Sequence, residues 1–191
     1  MTVFPDETPA AVHARHDSLN RFLGSVERRA LRMAELAVHS RDDALDIVQE
    51  TMIALASRYA DRPEAEWTPL FYRILQTRIA SWHRQHNRRR RYLPLLGDLF
   101  SRADEGDATD YWASDSGSPE QQLAAEQSGA RIEAALRALP LRQQQVFLLR
   151  HWEQLDVKAT AKIMGCSEGS VKTHLHRAMA RLREALGEGV L

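Results

Sequence analysis

The chain has 191 residues, of which 27% are charged and 43% hydrophobic, as expected for a globular protein with one medium domain or two small ones. No apolar run approaches the roughly 20 residues of a membrane span, and the start MTVFPDETPA lacks the basic and then apolar layout of a signal peptide, so we expect a cytoplasmic protein without membrane insertion. The single cysteine, Cys166, excludes an internal disulfide framework.

The formal net charge is +0, but the charges are unevenly distributed along the chain. From Arg78 to Arg91 the sequence RIASWHRQHNRRRR carries only positive charge and holds one tryptophan. Between residues 98 and 126 the many acids are opposed by Arg102 alone. A phosphate backbone is bound mainly through Lys and Arg, so a locally basic segment keeps a nucleic-acid partner open despite the neutral sum.

Three helices are predicted in the first half of the chain. In LNRFLGSVERRALRMAELAV, residues 19–38, apolar residues recur at spacings of three and four, as one buried helix face requires. A second helix is expected over residues 42–59 with Ser40 as its N-cap, and a third from about Thr68 with Pro69 in its first turn. No alternating strand pattern occurs, so residues 21–95 are predicted to form a helical bundle.

A linker and a second helical unit follow. Residues 96–127 are acidic and rich in Gly and Ser, without a period of 2 or 3.6, which is typical of a linker. Beyond it we expect a helix over 130–138, a break at Pro140, and another helix in LRQQQVFLLRHW. If Gly165 forms a tight turn, Ala161 four residues before it and Val171 six after it have the spacing of a helix-turn-helix.

The helix after that turn, which Ser167 can cap, separates into two faces at 100° per residue. Its apolar residues cluster on one face, and Lys172, Thr173, His176 and Arg177 lie on the other face or at its shoulder. Donors near the start of such a helix can reach base edges in the major groove and the flanking phosphates. A plain solvated surface is the alternative, since this spacing also arises by chance in all-helical proteins.

Three motifs resemble the extracytoplasmic-function, or group 4, sigma factors of bacterial RNA polymerase. They are DDALDIVQETM, LFYRILQTRIASWHRQHNRRRR and LPLRQQQVFLLRHWEQLDVKATAKIMGCSEGSVKTHLHRAMARLREAL, in the order of that family. The resemblance implies an all-α fold of two small domains, a sigma-2 helical bundle over 21–95 and a sigma-4 helix-turn-helix unit over 128–191, joined by an acidic flexible linker over 96–127. The extension 1–20 has no counterpart that we can read.

The resemblance also implies roles for individual residues. It implies contacts to core RNA polymerase, on the β′ clamp helices, by Asp43, Asp46, Gln49 and Glu50; sigma-4 is expected on the β flap. It implies contacts to the −10 element of promoter DNA by Arg73, Arg78, Ser81, Trp82 and Arg84, although Trp82 is equally expected in the core. It implies contacts to the −35 element by Lys172, Thr173, His176 and Arg177, with His174 and Arg142 at phosphates.

The function that the resemblance implies is promoter recognition, melting and initiation by core polymerase, without enzymatic activity of the chain itself. We expect no cofactor and no metal, because the pairs His13 and His16, and His83 and His86, lack a third ligand. A monomer is expected, and an anti-sigma factor is a possible further partner. The alternative is a freestanding helix-turn-helix regulator, which needs no polymerase-binding surface on the helix over 42–59.

Overall fold

The structure is a computed structural model, and it describes residues 9–92 and 119–187. The described residues form α-helices, one π-helical turn and no strand. The helices are α1 Pro9–Val38, α2 Arg41–Tyr59, α3 Glu64–Tyr92, α4 Pro119–Arg137, α5 Leu141–Phe147, α6 Val157–Met164 and α7 Glu168–Leu186, with the π turn at Leu148–Trp152 between α5 and α6. The all-α prediction is confirmed. No helix within these two ranges is long and apolar enough to cross a membrane.

Helices α1, α2 and α3 pack on one another as a three-helix bundle. Their boundaries follow local signals: His39 adopts the left-handed φ of 58° just after α1, and the Ser40 hydroxyl caps α2 by accepting from the Asp43 N–H at 3.3 Å. The bundle core is aromatic at one end, where the ring of Phe71 lies edge-on to Tyr72 with centroids 5.4 Å apart. Trp67 is only 2% exposed, and its indole N–H donates to the Tyr59 carbonyl at 3.2 Å.

Two predicted helix starts are wrong. Helix α3 begins at Glu64 and not near Thr68, so Pro69 lies inside the helix and not in its first turn. Helix α4 begins at Pro119, so residues 119–127, which we assigned to the linker, are helical. Proline is favoured at the first helical position, and the residues that follow in PEQQLAAEQ are good helix formers, which outweighs the acidic character that suggested a linker. The rest of the predicted linker, residues 96–118, lies outside the described residues.

Helices α4 to α7 form the second unit, with the predicted break at Pro140, and this unit packs directly against the first. Helix α1 contacts α4 and α5, while α3 contacts α6. The buried side chains of both units form one continuous core. The side-chain amide of Gln144, which is buried, crosses the boundary and donates to the carbonyls of Leu36 at 3.0 Å and Leu136 at 2.9 Å. The two units therefore hold a defined mutual orientation, which the sequence does not reveal.

Candidate nucleic-acid interface

The turn between α6 and α7 has helix-turn-helix geometry. Asp156 caps α6 by accepting from the Ala159 N–H at 2.6 Å, and α6 ends at Gly165, whose φ of 61° lies in the left-handed region that glycine adopts without strain. Ser167 then caps α7, accepting from the Ser170 N–H at 3.1 Å. Ala161 and Val171 are both buried. The predicted turn, cap and packing positions are thus confirmed.

Helix α7 has the two faces that its sequence predicts. Val171, Ala178 and Leu182 are buried. The side chains of Lys172, Thr173, His176 and Arg177 are exposed on the opposite side. These four residues supply two cations, an imidazole and a hydroxyl within two turns, groups that hydrogen-bond to base edges and phosphates. The Thr173 hydroxyl donates to the Gly169 carbonyl at 3.0 Å, which leaves its oxygen as an acceptor.

Two other residues predicted to contact phosphates are placed differently. His174 is half-buried, and its Nδ1 atom is shielded from solvent without a hydrogen-bond partner among the residues that the structure describes. Arg142 is exposed, but its Nη1 donates to the Met164 carbonyl at 3.1 Å, at the end of α6. Arg142 therefore holds α5 against the helix-turn-helix, a structural role that no spacing in the sequence indicated. A hydrogen bond at Nη1 leaves the other guanidinium donors for a phosphate.

A second polar stripe runs along α3, where Arg73, Ser81 and Arg84 are exposed. The Arg84 guanidinium donates to the Ser81 hydroxyl at 2.8 Å, and that hydroxyl donates to the Thr77 carbonyl at 2.9 Å. The Thr77 hydroxyl donates to the Arg73 carbonyl at 2.8 Å. The side chains of residues 88–91, the end of the basic segment, lie outside what the structure describes. The stripe upstream of them is an ordered row of donors on one helix face.

Trp82 is neither a fully buried core residue nor a free stacking platform. Its side chain is half-buried, one face of the indole is stacked on His86 with ring centroids 4.1 Å apart, and His83 lies edge-on at 5.1 Å. Burial lowers the pKa of His83, and a backbone hydrogen bond at Ala37 partly opposes that shift. A base that stacked on the covered indole face would have to displace His86.

The exposed surface of α2, which we call the α2 surface, consists of Leu45, Asp46, Gln49, Glu50 and Ile53. At 100° per residue these five lie on one face of the helix. Leu45 is 45% and Ile53 59% exposed, and these are the large hydrophobic side chains that the described residues leave exposed. Exposed apolar side chains beside polar ones mark surfaces that contact another macromolecule.

The prediction for α2 named the polar residues but missed Leu45 and Ile53. Both fall outside the stripe of apolar residues that α2 buries, and this phase difference was the signal that could have found them. Asp43, also predicted here, is half-buried in the first turn. Glu50 forms an ion pair with Arg78 of α3, so the structure joins a residue predicted to contact polymerase with one predicted to contact DNA.

Metal-binding geometry does not occur in the described part of the chain, where no three His, Cys, Asp or Glu side chains come close enough to share an ion. His13 and His16 are exposed on α1, and His83 and His86 contact Trp82. Cys166, half-buried beside the turn, is a free thiol.

Comparisons with known proteins agree with this geometry. Residues 129–182 match the family model described as "Sigma-70, region 4". The chain is 30% identical to an RNA polymerase sigma-E factor of Streptomyces avermitilis over 158 residues, covering 82% of this chain and 78% of that one. It is 29% identical to the ECF RNA polymerase sigma factor SigD of Mycobacterium tuberculosis over 168 residues, covering 86% of this chain and 68% of that one.

A solved structure has a similar fold. It is the sigma factor RpoE of Bartonella quintana in complex with the anti-sigma factor NepR, with a TM-score of 0.68 and 19% identity, covering 89% of this chain and 97% of that one. The sequence relatives span both helical units, and their names agree with the roles that the motifs imply. The chain belongs to the extracytoplasmic-function sigma factors of the sigma-70 family.

Proposed function

We propose that this chain is a group 4 sigma factor that acts in the cytoplasm as a monomer. It binds core RNA polymerase, carries the polymerase to a set of promoters, and assists melting of the −10 element, while the polymerase performs all the catalysis. In this proposal the α2 surface lies on the β′ clamp helices and the helix-turn-helix unit on the β flap. Promoter DNA is contacted by α3 and α7.

The observation that carries this proposal is the α2 surface. Leu45 and Ile53 are exposed among Asp46, Gln49 and Glu50, in a composition that combines apolar contact area with charged specificity. A freestanding helix-turn-helix regulator needs no such surface on a helix remote in sequence from its DNA-binding unit. The relatives named as sigma factors also do not favour that alternative.

The two DNA-contacting faces have different chemistry, which suits their proposed targets. On α7, Lys172, Thr173, His176 and Arg177 project from one helix face, as major-groove readout of duplex DNA requires. On α3, Arg73, Ser81 and Arg84 form a row along a helix that also carries Trp82, which suits the phosphates and bases of an opened strand. His174 and Arg142 complete the proposed phosphate contacts with their remaining donors.

An anti-sigma factor is a further partner that we propose on the basis of the Bartonella quintana complex. Such an inhibitor would have to cover the α2 surface or a DNA-contacting face of α3 or α7. A chain with all of these surfaces accessible could bind both polymerase and promoter DNA. No cofactor or metal enters the proposed function.

The proposal is tested by multi-round transcription in vitro with core RNA polymerase and a library of promoter fragments. Transcripts that require the chain are expected, and their upstream sequences identify what α7 reads. Ile53→Asp combined with Asp46→Lys should abolish copurification with core polymerase and these transcripts. Glu27→Lys, a charge reversal at an exposed acid of α1, is the matched control and should leave both unchanged. If the unmodified chain neither binds core polymerase nor produces transcripts with it, the proposal is wrong.

A further inference from the structure

A cavity of about 210 Å³ lies between α1, α4 and the segment that runs from α5 into the π turn. Apolar side chains form most of its wall, namely Leu36, Ile132, Leu136, Phe147, Leu148 and Trp152. Leu36 and Leu148 are buried, and the other side of the wall is half-buried and reaches the surface. The cavity shares no residue with the α2 surface or with the proposed DNA-contacting residues of α3 and α7.

The volume of the cavity suits a molecule with one ring. A cavity of about 150 Å³ lined by Leu, Ile and Phe is large enough to bind benzene. The present cavity is somewhat larger, so it can hold one aromatic ring with one or two small substituents. A docked helix needs a groove long enough for several anchoring side chains, spaced at i, i+3 or i+4, and i+7. The size of the cavity therefore favours a small molecule over a helical partner.

Two aromatic side chains give the wall its chemical character. Phe147 and Trp152 both line the cavity. The Phe147 ring is stacked on His151, with ring centroids 4.9 Å apart and an angle of 28° between the ring planes, which fixes its orientation. Aromatic rings attract a further ring in offset or edge-on geometry beyond the effect of buried area. An aromatic ligand therefore fits this wall better than an aliphatic one of the same size.

The charged groups at the cavity disfavour a charged ligand. Arg32 and Glu133 both line it, and they form an ion pair in which each side chain is only 10% exposed. Arg32 also donates to Glu35 at 3.3 Å, so an anionic ligand would add a third negative charge around one guanidinium. A cationic ligand would bring a second positive charge beside it, and burial of an unpaired charge is costly.

Hydrogen-bonding groups nevertheless remain at the cavity for an uncharged ligand. A guanidinium carries more N–H donors than the two ion pairs of Arg32 use, and a ligand oxygen can accept from one of the others. Burial, together with the charge of Arg150, lowers the pKa of His151 and favours its neutral imidazole, which offers one donor and one acceptor. Few polar groups in a mainly apolar wall are typical of ligand sites.

The π turn contributes Leu148, His151 and Trp152 to this wall. At its end the Glu153 N–H donates to the Leu148 carbonyl at 3.1 Å, and Gln154 has a left-handed φ of 53°. A π-helical turn gives up regular helix geometry and is found frequently at functional sites. Its presence here is an observation independent of the cavity volume, and it points to the same place.

We propose that the chain binds a small, uncharged aromatic molecule in this cavity, with a single ring and one hydrogen-bonding group such as a phenol hydroxyl. The ring lies between Leu136 and the aromatic wall of Phe147 and Trp152, and the hydroxyl oxygen accepts from the Arg32 guanidinium. This binding site is additional to the polymerase and DNA contacts of the proposed function and does not depend on them.

The site is tested by methyl NMR titration of the full chain with four probes that share a ring and a methyl group. These probes are p-cresol, toluene, p-toluate and p-methylbenzylammonium. We expect p-cresol to bind with a Kd below about 1 mM and to shift the methyl signals of Leu36, Ile132 and Leu136. Toluene, which lacks the hydroxyl, should bind about two- to tenfold more weakly. The two charged probes should bind more than about tenfold more weakly than p-cresol.

A variant that fills the cavity links the shifts to this site. Ile132→Trp should weaken p-cresol binding by more than about tenfold, because the larger side chain occupies the ligand volume. Ala134→Trp, at an exposed position of the same helix, is the matched control and should retain the affinity of the unmodified chain. Since a ligand of the folded state stabilises it, p-cresol at ten times its Kd should raise the Tm of the control, but not of Ile132→Trp, by about 3–6 °C.

Several results would overturn the proposal. These are the absence of saturable shifts at the three methyl-bearing residues, equal p-cresol affinity in Ile132→Trp and its control, and tighter binding of a charged probe than of p-cresol. Equal affinities for p-cresol and toluene would refute the hydrogen bond from Arg32. If Ile132→Trp does not fold, Ile132→Phe should weaken p-cresol binding by a smaller factor, and an unchanged affinity would overturn the site equally.

Discussion

Two glycines four residues apart in the helix-turn-helix should respond oppositely to the same substitution. Gly165 has a φ of 61°, and a Cβ added there would meet no atom within 4 Å. The cost of Gly165→Ala is therefore that of the left-handed conformation alone, about 1–2 kcal/mol. Gly169 is helical, and its added Cβ would meet only the Ser167 hydroxyl at 3.8 Å, an ordinary contact. Gly169→Ala should stabilise the chain by about 0.4–1 kcal/mol, because it restricts the unfolded state.

Thermal and urea denaturation of the full chain, followed by circular dichroism, measure these effects. For a chain of this size, 1 kcal/mol corresponds to roughly 2–4 °C in Tm. We expect Gly165→Ala to lower Tm by about 2–8 °C and Gly169→Ala to raise it by about 1–4 °C. Gly165→Asn should lie between Gly165→Ala and the unmodified chain, since asparagine tolerates the left-handed region.

The sign of each change is the decisive result. A Gly165→Ala chain as stable as the unmodified one would mean that residue 165 does not adopt the left-handed conformation, and the helix-turn-helix geometry described above would be wrong. A Gly169→Ala chain destabilised as much as Gly165→Ala would mean that small size, and not backbone conformation, is what the turn requires. Either outcome would refute the reasoning from φ.

Three further predictions concern the core, pH and DNA binding. Leu75→Ala, at a fully buried position of α3, should lower the free energy of unfolding by about 2–5 kcal/mol, while Ile53→Ala, 59% exposed, should leave it nearly unchanged in the same urea titration. Burial lowers the pKa values of His39 and His83 in the folded chain below the ordinary histidine value of 6.5, so the unfolded chain binds more protons in this range. The stability that the two neutral imidazoles contribute is complete above pH 6.5, and Tm should fall as the pH decreases through the lowered pKa values. His39→Asn, compatible with the left-handed φ, should flatten that dependence, and an unchanged pH profile would contradict it. Lys172→Gln should reduce the slope of log affinity against log salt by about 1 for promoter DNA bound by the chain with core polymerase, and an unchanged slope would mean that Lys172 contacts no phosphate.

Local signals in the sequence predicted the elements that carry the proposed contacts. The cap at Ser40, the break at Pro140, the turn at Gly165 and the buried face of α7 are each encoded within a few residues, and the structure has all four. Where the prediction failed, competing local signals were present: acidic, Gly-rich and Ser-rich neighbours hid the start of α4, and Pro69 suggested too late a start for α3. Leu45 and Ile53 were missed because the prediction for α2 considered only its polar residues, although both lie out of phase with the buried apolar stripe.

By itself, the sequence determined the helices, their caps, the helix-turn-helix and the family, since each depends on residues close together along the chain or on motifs in order. Only the tertiary structure decided how the two units face each other. The pairs Arg32–Glu133 and Arg29–Glu153 join residues more than 100 positions apart, and no periodicity or cap in either segment indicates its partner. Long-range pairing depends on the shapes of two finished units, so the mutual orientation of the two units appears only once the chain is folded.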